Sequence, residues 1–451
     1  LSPVDMTEGT PWKKIALFAA PMLLGNIAQQ LYNTVDSIVV GKYMGDNALA
    51  AVGSAGPIVN LLFVLYVGIS MGAGIMVSQH FGARDREELS KTIGNCIVLT
   101  VISVLLIMIV TSLISRPLLE LLNTPETLID GCHSYLLILF IGSAGLAFYN
   151  IFSGILRGLG DSVSALIYLL ISTAINIVLD IYFVASLNMG INGVAYATVI
   201  AQIVSALLCF RKLKRMNHLF DIKLKYLKIS KKHFTSIIRL GLPSGITQAI
   251  FSMAMIIVQS LTNSYGELLI AANVIVMRVD GFAILPIFSF GTALTTYAGQ
   301  NVGAKLYNRV EKGTKQGTIM ALCTSAFITI IILILGKNLI HIFTDTPELV
   351  DLSYRMVVLL SMGYLALAVS QCLQGTMRGA GDTMTPMWIT LLTTVVIRVP
   401  LAYAIAYFTR TPELPNGRQE SVFISLLCAW LIGAAINYIV YKKGKWKKSF
   451  T

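Results

Sequence analysis

The chain has 451 residues, 55% of them hydrophobic and only 12% charged, about half the charged fraction of a soluble globular protein, which excludes a soluble fold. The net charge of +12 would suit a nucleic-acid partner, but the basic residues gather between apolar runs and at the tail, where they read as topology signals and contacts to anionic lipid. The apolar runs are each long enough to cross a hydrocarbon layer of roughly 30 Å as a helix, whereas the strands of a β-barrel would be about 10 residues of alternating polarity, so a barrel is excluded as well.

Spans are predicted, in chain order, at 14–40, 48–78, 92–115, 132–156, 163–186, 190–211, 236–264, 269–298, 316–336, 353–376, 384–408 and 421–441. Pro11, Trp12, Lys13 and Lys14 lead into a first run too long for a signal peptide, so none is expected. With the N-terminus inside, most Lys and Arg fall in inner loops, notably 211–239, and in the tail KKGKWKK. By the positive-inside rule both termini are expected to be cytoplasmic. Cys96, Cys132, Cys209, Cys323, Cys372 and Cys428 are scattered singly and read as packing residues. The five histidines sit at no metal-ligand spacing, so no metal cofactor is expected.

The chain repeats itself. SQHFGARDREEL at 78–89 returns as GQNVGAKLYNRV at 299–310, and LRGLGDS at 156–162 returns as MRGAGDT at 377–383, both 221 residues on. NTPE at 123–126 answers DTPE at 345–348, and Pro21 answers Pro243, both 222 residues on. Two six-span halves running in the same direction imply an axis along the membrane normal and a cavity between lobes that is exposed on alternate sides. The fold class is therefore an all-α integral membrane protein with twelve transmembrane helices in two six-helix lobes. The lobes are expected at 1–210 and 236–451, joined by a basic cytoplasmic linker at 211–235. In the RGxGD turns, glycine permits a tight turn and Asp or Arg can pair or cap helix ends.

Ionisable groups within spans cost at least about 2.5–3.5 kcal/mol at the helix centre and so usually face protein or a water-filled cavity. In NIAQQLYNTVDSIVVG, residues 26–41, Gln29, Tyr32, Asn33 and Asp36 share one helical face. On the fifth span Thr173, Asn176 and Asp180 form a second stripe. At 1.5 Å per residue Asp36 and Asp180 both lie about 7–9 Å below the outer helix ends, with Asn176 and Thr198 roughly one turn deeper. Two carboxylates sharing a low-dielectric cavity cannot both ionise cheaply, so the pair would carry a proton, or hold Na⁺ when both are ionised. Asp36 and Asp180 have apolar counterparts in the second half, so ion coupling is expected in the first lobe alone. The second half offers Gln248, Gln259, Arg278, Asp280 and Arg398 within spans. Arg398 reads as an inter-helix tether, while Asp280 either meets a cationic substrate or pairs with a neighbouring helix. Met22, Met253, Met255 and Phe288 could line a soft cavity.

The twelve spans in two halves, the opening PMLLGNIAQQLYNTVDSIVVGKYMGDNALAAVG, the GARD loop and the paired RGxGD turns resemble the multidrug and toxic compound extrusion (MATE) family over essentially the whole chain. Acids on the first and fifth spans make the sequence similar to its DinF-like prokaryotic branch. Gln248 and Gln371 stand on the seventh and tenth spans, where NorM-like members carry acids. The resemblance implies antiport, with organic, often cationic or amphipathic, compounds leaving as H⁺ or Na⁺ enters. It implies an ion site at Tyr32, Asp36, Asn176, Asp180 and Thr198, with Tyr135 and Asn150 around the same cavity. Gln29, Asn33, Met22, Met253, Met255 and Asp280 complete the expected substrate lining.

No cofactor beyond the coupling ion is expected, and the partners expected are small drugs and lipids, with the protein a monomer. The alternative is a flippase for lipid-linked precursors or polysaccharides, which would require a strongly cationic cavity. An intramembrane enzyme finds no HExxH, GxSxG or histidine cluster in the sequence.

Overall fold

The computed structural model describes residues 3–44, 46–121 and 126–448, with side chains throughout except at 33–38, 40, 41, 44, 46–58, 61, 62 and 448. The helices are α1 (Pro11–Met44), α2 (Asp46–Gly82), α3 (Arg86–Leu121), α4 (Glu126–Ile141), α5 (Ser143–Gly158), α6 (Ser162–Ile181), α7 (Gly190–Arg215), α8 (Lys231–Ser264), α9 (Glu267–Gly303), α10 (Tyr307–His341), α11 (Pro347–Ser361), α12 (Tyr364–Gly379), α13 (Met384–Thr390), α14 (Arg398–Phe408) and α15 (Ser421–Lys442). Among the described residues, ten candidate spans are long and apolar enough to cross a membrane, and the pairs α4/α5 and α11/α12, bent by 48° and 44° and each taken as one span, bring the number to twelve. The twelve predicted spans are thus all accounted for, and the described residues contain no strand. Large apolar side chains turn outward along α3 and α10, among them Leu106, Ile109, Leu113, Phe327 and Ile334. That is the inside-out surface a lipid solvent requires.

The chain divides into two compact units, one of Leu1–Asp5 and Ala20–Gly245, the other of Met6–Ala19 and Ile246–Thr451. These boundaries differ from the expected 1–210 and 236–451 lobes. They fall inside α1 and α8, next to Pro21 and Pro243, the prolines within those helices. Hydrogen bonding explains the shift. In the second unit Gln300 accepts from the Met6 backbone N–H (2.9 Å), while Asn301 and Arg309 donate to the Met6 carbonyl (3.1 Å from each). In the first unit the expected linker is tied to α3. Arg86 donates to the carbonyls of Asn217 and His218, Ser90 accepts from the Asp221 N–H, and Asn95 accepts from the Ser230 N–H. Phe220 and Met216 of the same segment are buried. The Arg86 guanidinium beside Asp221 also holds that carboxyl below its ordinary value.

Each unit repeats the other's local solutions. In the first, α5 packs on α2 and α7, and in the second α12 packs on α9, α10 and α15. Gly154 abuts Ser70 across α5/α2, and Gly375 abuts the Gly291 carbonyl across α12/α9, each in a gap that a side chain would fill. The RGxGD turns hold Gly160 at φ +88° and Gly381 at φ +97°, a region L-residues avoid. Asp161 then caps α6 by accepting from the Ser164 N–H (2.9 Å), and Asp382 caps α13 by accepting from the Thr385 N–H (3.0 Å). Asp161 takes Lys212 as its ionic partner (3.4 Å). All six cysteines are free, with Cys96, Cys132, Cys209 and Cys372 buried.

Candidate functional site

Two places concentrate polar side chains among apolar ones, one in each unit. The first lies where α1, α6 and α7 carry Tyr32, Asn176, Asp180 and Thr198. Asp180 and Asn176 stand one turn apart on α6 and are both essentially buried (0% and 1% exposed). The Asn176 amide has two orientations. In one, Nδ2 donates to Thr198 Oγ1 at 3.3 Å. In the other, Nδ2 donates to Asp180 Oδ2 at 2.9 Å and Oδ1 accepts from the Thr198 N–H at 3.3 Å. The second orientation fits a carboxylate, because it turns the donor toward charge and the oxygen toward an N–H.

Thr198 Oγ1 donates to the Val194 carbonyl (3.0 Å) and lies 3.5 Å from the Tyr32 hydroxyl. Its oxygen therefore keeps lone-pair capacity toward the cluster. A π-helical segment, Tyr182–Ser186, begins two residues after Asp180, and such widened turns occur often at functional positions. Asp36 and Asn33 lie on α1, but their side chains fall outside the described residues. The sequence-predicted set is thus gathered at four of its five ion-site positions, with distances that place a carboxylate, an amide, a hydroxyl and a phenol in one chain.

The remaining predicted positions scatter. Gln29 is exposed and Met22 half-buried on α1. Tyr135 is buried in an apolar cluster with Val104, Ile107, Leu136 and Leu139. Asn150 donates its amide to the Leu146 carbonyl on its own helix (2.9 Å), and its carbonyl accepts from Ser70 Oγ (2.6 Å), which binds α5 to α2. Met253 is exposed.

The second place is a cavity of about 390 Å³ within the second unit. Phe251, Met255, Val258, Ile284, Phe288 and Trp430 supply apolar wall, and Gln248, Gln259, Gln371, Gln374 and Asn437 supply amides. One acid and one base reach it, Asp280 from α9 and Arg398 from the start of α14. Asp280 lies within electrostatic reach of Arg398 and of the Tyr364 hydroxyl on α12. Arg398, expected to be an inter-helix tether, is buried in the cavity wall within electrostatic reach of Asp280 on α9, and Tyr364 was missed because nothing in its sequence neighbourhood distinguishes it from packing aromatics. A large apolar space with a few convergent polar groups is the usual composition of a small-molecule site.

Fold and sites together define a multi-pass helical membrane protein built from two like halves, with a buried polar cluster in one and an apolar cavity in the other. The MatE family model matches residues 21–182 and 243–404, one match per half. The chain belongs to the MatE family. It is 29% identical over 444 residues to a probable multidrug resistance protein of Bacillus subtilis (strain 168), YoeA, covering 97% of this chain and 94% of that protein. It is 24% identical to the DNA damage-inducible protein F of Escherichia coli (strain K12), covering 75% of this chain and 74% of that one. Among solved structures, a MATE protein in the bent conformation superposes with a TM-score of 0.91 at 25% identity, covering 99% of this chain and 98% of that chain.

Proposed function

We propose that this protein is a secondary active exporter that moves organic, often cationic or amphipathic, compounds outward in exchange for H⁺ or Na⁺. The observation that carries the reading is the buried Asp180, hydrogen-bonded to Asn176 beside Thr198. A carboxylate buried in a membrane protein costs several kcal/mol unless its charge is exchanged for a proton or matched by a cation. Asp180, together with Asp36 one stripe away in sequence, is therefore the coupling residue. Tyr32, Asn176 and Thr198 supply neutral oxygens and donors that hold either occupied state. Names of relatives such as the probable multidrug resistance protein YoeA support multidrug export as the activity.

The cavity of the second unit is the proposed substrate site. Its wall is mostly apolar and includes the flexible Met255, which suits varied amphipathic compounds. Because Arg398 is accompanied by Asp280, the cavity does not present the cationic surface that a lipid-linked phosphate would need. One elementary charge moving through 100 mV supplies about 2.3 kcal/mol, so one or two ions per cycle sustain a substantial drug gradient.

Flux into liposomes holding the purified protein tests the proposal. An imposed pH or Na⁺ gradient should drive uptake of a fluorescent cationic drug such as ethidium against its own gradient. Equal uptake with no ion gradient would reject coupled transport. In the same assay Asp280→Asn should weaken cationic compounds by about tenfold or more, equivalent to ~1.4 kcal/mol, while sparing neutral ones. A cation-to-neutral ratio equal to that of the wild type would remove Asp280 from the substrate site.

A further inference from the structure

The first unit holds a second cluster of reactive side chains at its water-facing end, far in sequence from the polar site. His80 comes from the last turn of α2, Glu88 from the first turn of α3 and His233 from the first turn of α8. Their donor atoms all lie within 4.8 Å of one another, the one such group of three among the described residues. We propose that His80, Glu88 and His233 bind a divalent transition metal ion of the Zn²⁺ type.

Two imidazoles and one carboxylate form a mixed nitrogen and oxygen set that suits Zn²⁺ and its first-row neighbours, and that hard ions such as Mg²⁺ and Ca²⁺ do not select. Bonds of about 2.0–2.1 Å in a tetrahedron put the ligand atoms roughly 3.3 Å apart. His233 Nε2 and Glu88 Oε2 already stand 3.0 Å apart. The other ring nitrogen of His233 lies 2.9 Å from Ser230 Oγ, which fixes the ring and leaves Nε2 aimed at the cluster, as outer-shell partners of metal ligands do. His80 and His233 have ring centroids 6.4 Å apart, so a modest turn of the half-buried His80 completes the set.

Two lysines compete for Glu88, and both are dispensable to it. Lys232 Nζ stands 3.5 Å from Oε2 with its side chain 80% exposed, free to leave for water. Lys91 Nζ stands 3.1 Å from Oε1 but has Glu87 at 2.9 Å as a second partner. The repeat shows what the position needs for mechanical purposes alone. At the 221-residue offset, His80 and Glu88 correspond to Asn301 and Arg309. Those residues hold the segment before α1 by donating hydrogen bonds to the carbonyls of Met6 and Glu8. The first unit replaces these two donors with a lone-pair nitrogen and a carboxylate, and adds His233 opposite them. A metal there ties the first turn of α8 to the α2–α3 turn.

The test is Zn²⁺ titration of the purified full chain, affinity tag removed, in competition with a chromophoric chelator. One equivalent should bind, with affinity reduced at least about tenfold in both His80→Gln and His233→Gln, the usual cost of disturbing a metal site. His341→Gln, on α10 of the second unit, should bind as the wild type does. X-ray absorption on the Zn²⁺-loaded wild type needs no variant to fold and should show two imidazoles in an all nitrogen and oxygen shell. Wild-type affinity no better than that of His80→Gln or His233→Gln, or a shell with fewer than two imidazoles, would overturn the site.

Discussion

Asp180→Asn is expected to reduce ion-driven drug flux to the level of protein-free liposomes, while drug binding at equilibrium persists. The amide is nearly isosteric with the acid, so packing around this fully buried side chain is retained. What is lost is the capacity to take up and release a proton, or to neutralise Na⁺. The hydrogen bond from Asn176 to Asp180 Oδ2 becomes a contact that an amide can satisfy in only one orientation. Asp36→Asn is expected to act in the same direction. Coupling and binding are read separately, by flux under a pH gradient and by fluorescence titration with the same drug. Undiminished flux in both variants would reject the coupling role proposed for this cluster. Loss of drug binding along with flux in Asp180→Asn would show instead that substrate and ion share the first unit.

Residues one or two turns apart on a helix, and spans of known length, were legible because helical geometry alone decides them. That is how Asn176 and Asp180 fall on one face of α6, and how Asn176 and Thr198 come to comparable depth from sequence alone. The register of the repeat was legible for the same reason, and it reappears in Gly160 and Gly381, in the caps at Asp161 and Asp382, and in the bends of 48° and 44°. Contacts set by the packing of several helices were not legible. The 211–235 segment reads as a linker by composition, yet Ser90 and Asn95 bind its backbone through hydrogen bonds that no local pattern announces. His233 and Glu88 meet across 145 positions. Tyr364 reaches Asp280 from a different helix, and Asn150, a polar residue in a span, is consumed by helix packing rather than by the polar cluster.

Gly375→Val is expected to destabilise the second unit severely. A side chain at Gly375 would run into the backbone carbonyl of Gly291, and backbone, unlike the end of a flexible side chain, cannot turn aside. Ordinary overpacking of a core costs about 1–3 kcal/mol. Here α12 and α9 must separate, so the cost lies at or beyond the upper end of that range, and the defect reaches function. Asp280 is carried by α9 and Gln371 and Gln374 by α12, so the same displacement opens the cavity wall. Gly131→Ala in α4 is the matched control. Among the described residues, and apart from the adjoining backbone of its own helix, no atom lies within 4 Å of its added methyl group, and alanine gains about 0.8–1 kcal/mol of helix propensity over glycine. Thermal melts followed by size-exclusion chromatography in detergent compare the two. Gly375→Val should lose its monodisperse peak or melt many degrees earlier, whereas Gly131→Ala should match or exceed the wild type. A Gly375→Val protein melting with the wild type would mean that α9 and α12 can part at little cost. The close approach of these two helices would then no longer account for the placement of the cavity's polar groups.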